Sequence, residues 1–333
     1  MTIFPTRYST FSAPALAKFI QEQYGLSGVR CQYKLRGVSD TYEVWADSAR
    51  YILKIFRPMH RTMEALQGEL ALLQYLLEKN IRVAAPVKDL SGNALQPFQA
   101  IEGIRHGILY DYAPGRPIIE QTDKEIIGSA QYLATFHQQT EGLTIPYNRQ
   151  KYTLNTMLHE PLQAVRPAYE QFDLIEEYAK LKQAAGDCLK ALEKLDLSQF
   201  STGYCHYDYM PKNWHHDEGG NITLFDFDFA GQGWLMNDIA SYAFYLSLLT
   251  PSVEEAQRRL TLFLDHYTSI RAIQPDELKA LPQLGFLFLL FYLQYQYENF
   301  EDHTNFYFGA RFLREREKQV QHYMAITAGS SGL

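Results

Sequence analysis

The chain has 333 residues, 46% of them hydrophobic and 21% charged, with a formal net charge of −7. That length exceeds one compact core of ordinary size, so two domains are expected, and the acidic balance gives no electrostatic reason to expect a nucleic-acid partner. The longest apolar run, Leu284 to Leu293, is too short to span a bilayer and predicts a buried helix; no membrane association is expected.

The N-terminus lacks a charged start followed by an apolar run, so no secretory signal is expected. Cys31, Cys188 and Cys205 are odd in number and form no CxxC, which suits a reducing compartment and a cytoplasmic location. The first third reads mainly as strands: Val29–Arg36, Thr41–Ala46 and Arg50–Phe56 carry Val, Tyr, Trp and Ile between turn residues. A helix is predicted from about Arg61 to Lys79, with Met63, Leu66, Leu70, Leu73 and Leu77 on one face. Pro86–Val87, the turn Asp89–Asn93 and the stretches to Ile101 and Tyr110 read as further strands. After Tyr112-Ala113-Pro114-Gly115 the pattern becomes helical. Thr122-Asp123-Lys124-Glu125 is a capping-box sequence, and further helices are expected over Glu170–Leu195, Asp238–Leu249, Val253–Ile270 and from about Pro282.

Between these helices, Tyr204–Phe229 differs in character. His206-Tyr207-Asp208-Tyr209-Met210-Pro211-Lys212-Asn213 has the H-x-D-x-x-x-x-N spacing of a phosphoryl-transfer loop. Such a loop sets a carboxylate beside an acceptor hydroxyl and an amide oxygen on a metal ion. Ile222-Thr223-Leu224-Phe225 then delivers Asp226, with the turn Asp217–Asn221 between, so a hairpin would place Asp226 beside Asn213. Hard oxygen ligands of this kind suit Mg²⁺. Lys54 lies within an apolar strand, where an ammonium calls for a partner, and Glu69 on the following helix offers one. Strand alternation with the amine in water is the other reading of Lys54. Gly37 to Tyr42, including Ser39, reads as a turn able to wrap phosphates through backbone N–H groups. His215, His216 and Asp217 read as a solvated turn rather than a metal site, and Cys205 as a small buried residue.

These features, in this order, resemble the aminoglycoside phosphotransferase/choline kinase family of small-molecule kinases. CHYDYMPKNW is similar to its catalytic loop and LFDFDFAGQGWLMNDIA to its metal-binding strand and following helix. The resemblance implies an α+β, two-lobed, protein-kinase-like fold: a small antiparallel-sheet N-lobe over residues 1–112 and a larger, mainly helical C-lobe over 113–333. It implies transfer of the ATP γ-phosphoryl group to a hydroxyl of a small molecule, such as an amino alcohol, amino sugar, homoserine or aminoglycoside. Asp208 would be the base, and Asn213 and Asp226 would hold Mg²⁺. Lys54 would bind nucleotide phosphates with Glu69 orienting it, Ser39 would lie in the phosphate loop, and the backbones of Asp111 and Ala113 would meet adenine. Asp238 would brace the catalytic loop. Tyr207 stands where protein kinases have arginine, no A-P-E follows, and Trp214 is bulkier than the family's aliphatic residue. The rival readings are an atypical protein kinase and a non-catalytic pseudokinase; retention of Lys54, Asp208, Asn213 and Asp226 argues against the second.

Phe291, Tyr295, Glu298 and Asp302 recur at helical spacing, aromatic at one end and acidic at the other. Such a stripe reads first as a core-facing seam whose acidic end meets solvent. Its other reading is a site for a cationic amine, in which case the best acceptor is a small hydroxylated amine.

Overall fold

The computed structural model describes residues 8–37, 39–47, 49–57, 60–299 and 307–328; Asp302 lies outside them. Residues up to Pro114 together with Ile145–Arg149 form one compact unit, and Gly115–Thr144 with the chain from Gln150 form another.

The first unit runs α1 (Ala13–Tyr24), β1 (Arg30–Arg36), β2 (Ser39–Trp45), β3 (Arg50–Phe56), α2 (Met63–Glu78), β4 (Leu95–Ala100) and β5 (Gly103–Asp111). Its sheet is antiparallel in the order β1-β2-β3-β5-β4. The register pairs Tyr42 with Leu53 and Leu53 with Leu109, so these residues share one face. Leu16, Ile20 and Tyr24 of α1 cover that face. Ile52, Lys54, Ile108 and Tyr110 alternate to the other face, where Glu69 of α2 accepts a hydrogen bond from the Tyr110 hydroxyl at 2.7 Å.

Three findings differ from the sequence expectations here. The helix α1 was not among the expected elements, although Ser12, Pro14 and the left-handed Gly25 (φ 66°) mark its two ends. The buried face of α2 is Leu66, Glu69, Leu72, Leu73 and Leu76, so it is rotated from the expected stripe and Met63 stays exposed. The turn after β1 is also shorter than expected. Ser39 already pairs with Phe56 in β2, and its side chain is buried.

The second unit opens with α3 (Asp123–Thr140), where the Thr122 amide donates to Glu125 Oε2 at 2.8 Å and completes the capping box. Next come α4 (Glu160–Ala164), α5 (Arg166–Gln171) and α6 (Ile175–Leu192). Asp173, at φ 55°, lies between α5 and α6, so the expected single helix there is two. Two small antiparallel pairs follow: β6 (Thr202–Cys205) with β9 (Gly231–Trp234), and between them the hairpin of β7 (Trp214–His216) with β8 (Ile222–Leu224). The chain ends in α7 (Met236–Leu249), α8 (Val253–Thr268), α9 (Pro275–Lys279), α10 (Leu281–Asn299) and α11 (Ala310–Thr327). As its apolar run leads one to expect, α10 is buried along most of its length. No described helix is long and apolar enough to cross a membrane.

Candidate active site

The loop between β6 and β7 is set by Asp238, in the first turn of α7. Its buried carboxylate accepts the backbone N–H of His206 at 2.8 Å through Oδ2 and that of Tyr207 at 2.5 Å through Oδ1. His137 Nε2 lies 3.0 Å from the same Oδ2, and His137 Nδ1 lies 2.7 Å from the Tyr267 hydroxyl. These partners fix the tautomer: Nε2–H donates to the carboxylate and Nδ1 accepts from the phenol. Burial holds the His137 pKa below its usual value despite the carboxylate, with Arg271 behind Tyr267 adding to the effect.

Tyr207 has φ 64° and Asp226 φ 66°, an uncommon conformation for residues with a side chain. At Tyr207 the two bonds to Asp238 hold the backbone, and the ring stacks on Tyr152 at 3.5 Å. Strain retained in this way is typical of positions where a side chain must be aimed.

Asp208 is 5% exposed. Asn213 Nδ2 donates to Asp208 Oδ2 at 2.7 Å and to its backbone carbonyl at 2.9 Å. With both bonds made by the amide nitrogen, the amide oxygen is the ligand atom Asn213 can offer a cation. The Tyr245 hydroxyl donates to Asp208 Oδ1 at 3.1 Å, and Lys212 Nζ lies 4.0 Å from Oδ2.

Asp226 follows β8 and is brought to Asn213 by the hairpin. The Phe225 N–H donates to the Asn213 carbonyl at 2.9 Å, and His206 Nε2 donates to the Phe225 carbonyl at 2.9 Å. Asp208, Asn213 and Asp226 are therefore gathered on one loop and one hairpin. The donor set is an amide oxygen and a carboxylate, the hard ligands a Mg²⁺ ion takes when phosphate and water complete its shell. No cluster of three or more His, Cys, Asp or Glu suited to a metal exists among the described residues.

His215 and His216 are buried strand residues of β7, not a solvated turn as expected; Trp214 Nε1 donates to His216 Nε2 at 3.2 Å. The exposed turn is the one that follows, where Asp217 accepts from Asn221. Trp214 itself is fully buried and stacks on Tyr209 at 4.4 Å. Cys205 is buried, and that burial pushes its thiol pKa well up.

In the first unit, Glu69 is buried, with Tyr110 on one carboxylate oxygen and Arg149 Nη1 3.6 Å from the other. Arg149 escaped the sequence reading because it lies far from Glu69 in the chain. Lys54 is on β3, opposite Thr41 and Ile108. The Asp111 N–H donates to the Ala85 carbonyl at 2.8 Å, and Ala113 is buried.

Tyr245 was likewise missed, yet a signal existed. Asp238, Ser241 and Tyr245 are polar positions at i, i+3 and i+7 of a largely apolar helix, which places them on one face. Each meets the loop: Asp238 as above, Ser241 Oγ accepting the Tyr209 N–H at 3.3 Å, and Tyr245 on Asp208. The aromatic seam of α10 packs as its first reading expects. Phe291 sets its edge on Tyr152 and Tyr207, Tyr295 on Phe229, and Glu298 is exposed beside Gln294.

A sheet unit with a helix on each face, and a helical unit carrying an H-x-D-x-x-x-x-N loop next to a carboxylate hairpin, define a protein-kinase-like α+β enzyme. Residues 35–273 match the model of the phosphotransferase enzyme family (APH), and the chain belongs to that family. An uncharacterised Deinococcus radiodurans protein is 32% identical over 84% of this chain and 80% of its own. The structure of an amicoumacin kinase in complex with AMP-PNP, Ca²⁺ and Ami has a TM-score of 0.75 at 21% identity, covering 96% of this chain and 94% of that one. A microcompartment-associated aminopropanol kinase has a TM-score of 0.72 at 19% identity, covering 95% and 96%. The protein is a small-molecule phosphotransferase with a two-lobed, protein-kinase-like fold.

Proposed function

We propose that the protein transfers the γ-phosphoryl group of ATP to a hydroxyl of a small molecule, with Asp208 receiving the hydroxyl proton. The observation that carries this reading is the buried Asp208 carboxylate, fixed by Asn213 within a loop that also adjoins Asp226. Asn213 and Asp226 would hold Mg²⁺, which neutralises phosphate charge when bound. Lys54, with Glu69 beside its sheet face, would bind the nucleotide phosphates, Ser39, at the start of β2, would border the phosphate loop rather than lie within it, and the backbones of Asp111 and Ala113 would meet adenine. Residues 1–112 are then the nucleotide lobe, and 113–333 the lobe of the catalytic loop and acceptor site. Catalysis comes from positioning and charge neutralisation rather than a covalent intermediate.

A small hydroxylated amine is the acceptor we favour, and the name of the aminopropanol kinase supports that choice. The exposed position of Glu298 lends it no support. Three cysteines outside any disulfide suit a cytoplasmic enzyme. ATP consumption screened against amino alcohols, amino sugars, homoserine and aminoglycosides will identify the acceptor. With that acceptor, Asp208→Ala is expected to lower turnover by about a hundredfold or more, the range for a general base. ATP affinity should change little. Turnover near that of the wild type would remove Asp208 from the role.

A further inference from the structure

Asp208 is surrounded by donors of the protein itself. Asn213 holds Oδ2, and the hydroxyl of Tyr245 holds Oδ1. The Tyr245 ring is buried in α7, edge-on to Phe244 and Phe288. Tyr292 of α10 lies close enough to that hydroxyl to act on it electrostatically. Burial and the adjacent Asp208 carboxylate push the Tyr245 pKa well up, so the phenol remains protonated and serves Asp208 as a donor.

A base that accepts a proton from an attacking hydroxyl needs a lone pair facing that hydroxyl. Water, present at far higher concentration than any acceptor, competes for the same lone pair. We infer that Tyr245 is a positioning residue that guards Asp208 against water, holding Oδ1 until an acceptor hydroxyl displaces it and the phenol turns to Tyr292. This inference rests on the assignment of Asp208 as base. In the guarded reaction an acceptor oxygen bonds to the γ-phosphorus, the bond from that phosphorus to the β,γ-bridging oxygen breaks, ADP leaves, and the acceptor proton passes to Asp208. In the wasteful reaction a water oxygen takes the acceptor's place, its proton passes to Asp208, and inorganic phosphate is released.

Phosphate release from MgATP in the absence of any acceptor tests this without knowledge of the acceptor. Tyr245→Phe removes one hydroxyl and keeps the ring, and is expected to raise release about tenfold or more, the scale of one hydrogen bond to a charged group. A purely structural role would lower release or leave it unchanged. Combining Tyr245→Phe with Asp208→Asn should abolish the gain. Tyr292→Phe, which removes the alternative partner, should bring release below the wild-type rate; it decides the matter if Tyr245→Phe does not fold, as judged by its melting curve. Unchanged or lower release from folded Tyr245→Phe, or raised release from Tyr292→Phe, overturns the guard. Persistence of the gain in the Asp208→Asn double variant would instead strike at the assignment of the base.

Discussion

At Asn213 two roles meet in one side chain. Its amide nitrogen fixes Asp208, and its amide oxygen is the atom proposed for the metal. Asn213→Ala should therefore lower turnover more than it weakens MgATP binding, because the base is released as well. Asp226 is proposed for the metal and not for the base, so Asp226→Asn should chiefly weaken Mg²⁺-dependent nucleotide binding. Calorimetric titration of MgATP with and without Mg²⁺, set beside turnover, separates the two. Equal affinity in both variants and the wild type would leave the hairpin metal site without support. The residues of this loop were legible in the sequence because their geometry is local: five residues of chain join Asp208 to Asn213, and a tight turn joins β7 to β8. Tyr245 was not. It is 37 residues from Asp208, and only the packing of α7 against the loop joins them.

Among the elements, α2 shows why periodicity located a helix but not its buried face. Counting apolar residues favoured a stripe through Met63, Leu70 and Leu77, whereas the buried side carries the charged Glu69 and the small Gly68. Both are explained by Arg149, which crosses the helix at Gly68 and pairs with Glu69. A Cβ at Gly68 would lie 2.7 Å from Arg149 Cγ and 2.9 Å from its Cδ. Alanine in a helix interior is worth roughly 0.5–1 kcal/mol over glycine. Against this, parting a buried ion pair costs about 3–5 kcal/mol, reduced here because Tyr110 still serves the Glu69 carboxylate. Gly68→Ala is thus expected to lower the melting temperature. A rise would show that Arg149 moves aside at no cost. The first helix, α1, was missed for a different reason. Its buried face is only Leu16, Ile20 and Tyr24, a stripe blurred in the sequence by Ala13, Ala15, Ala17 and Phe19 around it. Its capping residues were the stronger signal.

Over the whole molecule, several histidines are buried or half-buried in neutral form, and this sets how acid acts on it. Desolvation lowers the pKa of His137 and His216, and drives that of His60 to about 2, with Arg61 and Arg57 adding to the effect at His60. An unfolded chain takes up protons at these side chains near pH 6.5, while the folded protein refuses them until lower pH. The unfolded state then binds more protons, so stability must fall as pH drops through about 6.5 toward the depressed values. His137 is the best single reporter, since the groups facing it from every side are known: Asp238, Tyr267, Arg271 and Glu141. Thermal melting of the wild type is expected to show a falling midpoint from pH 7.5 to 5.5. His137→Gln, whose amide can still donate to Asp238, should start lower at pH 7.5 and decline less steeply, because it has no proton to refuse. Parallel curves for the two proteins across that range would mean that His137 contributes nothing to the acid limb, and that the catalytic loop's anchor is insensitive to the charge state of the histidine beside it.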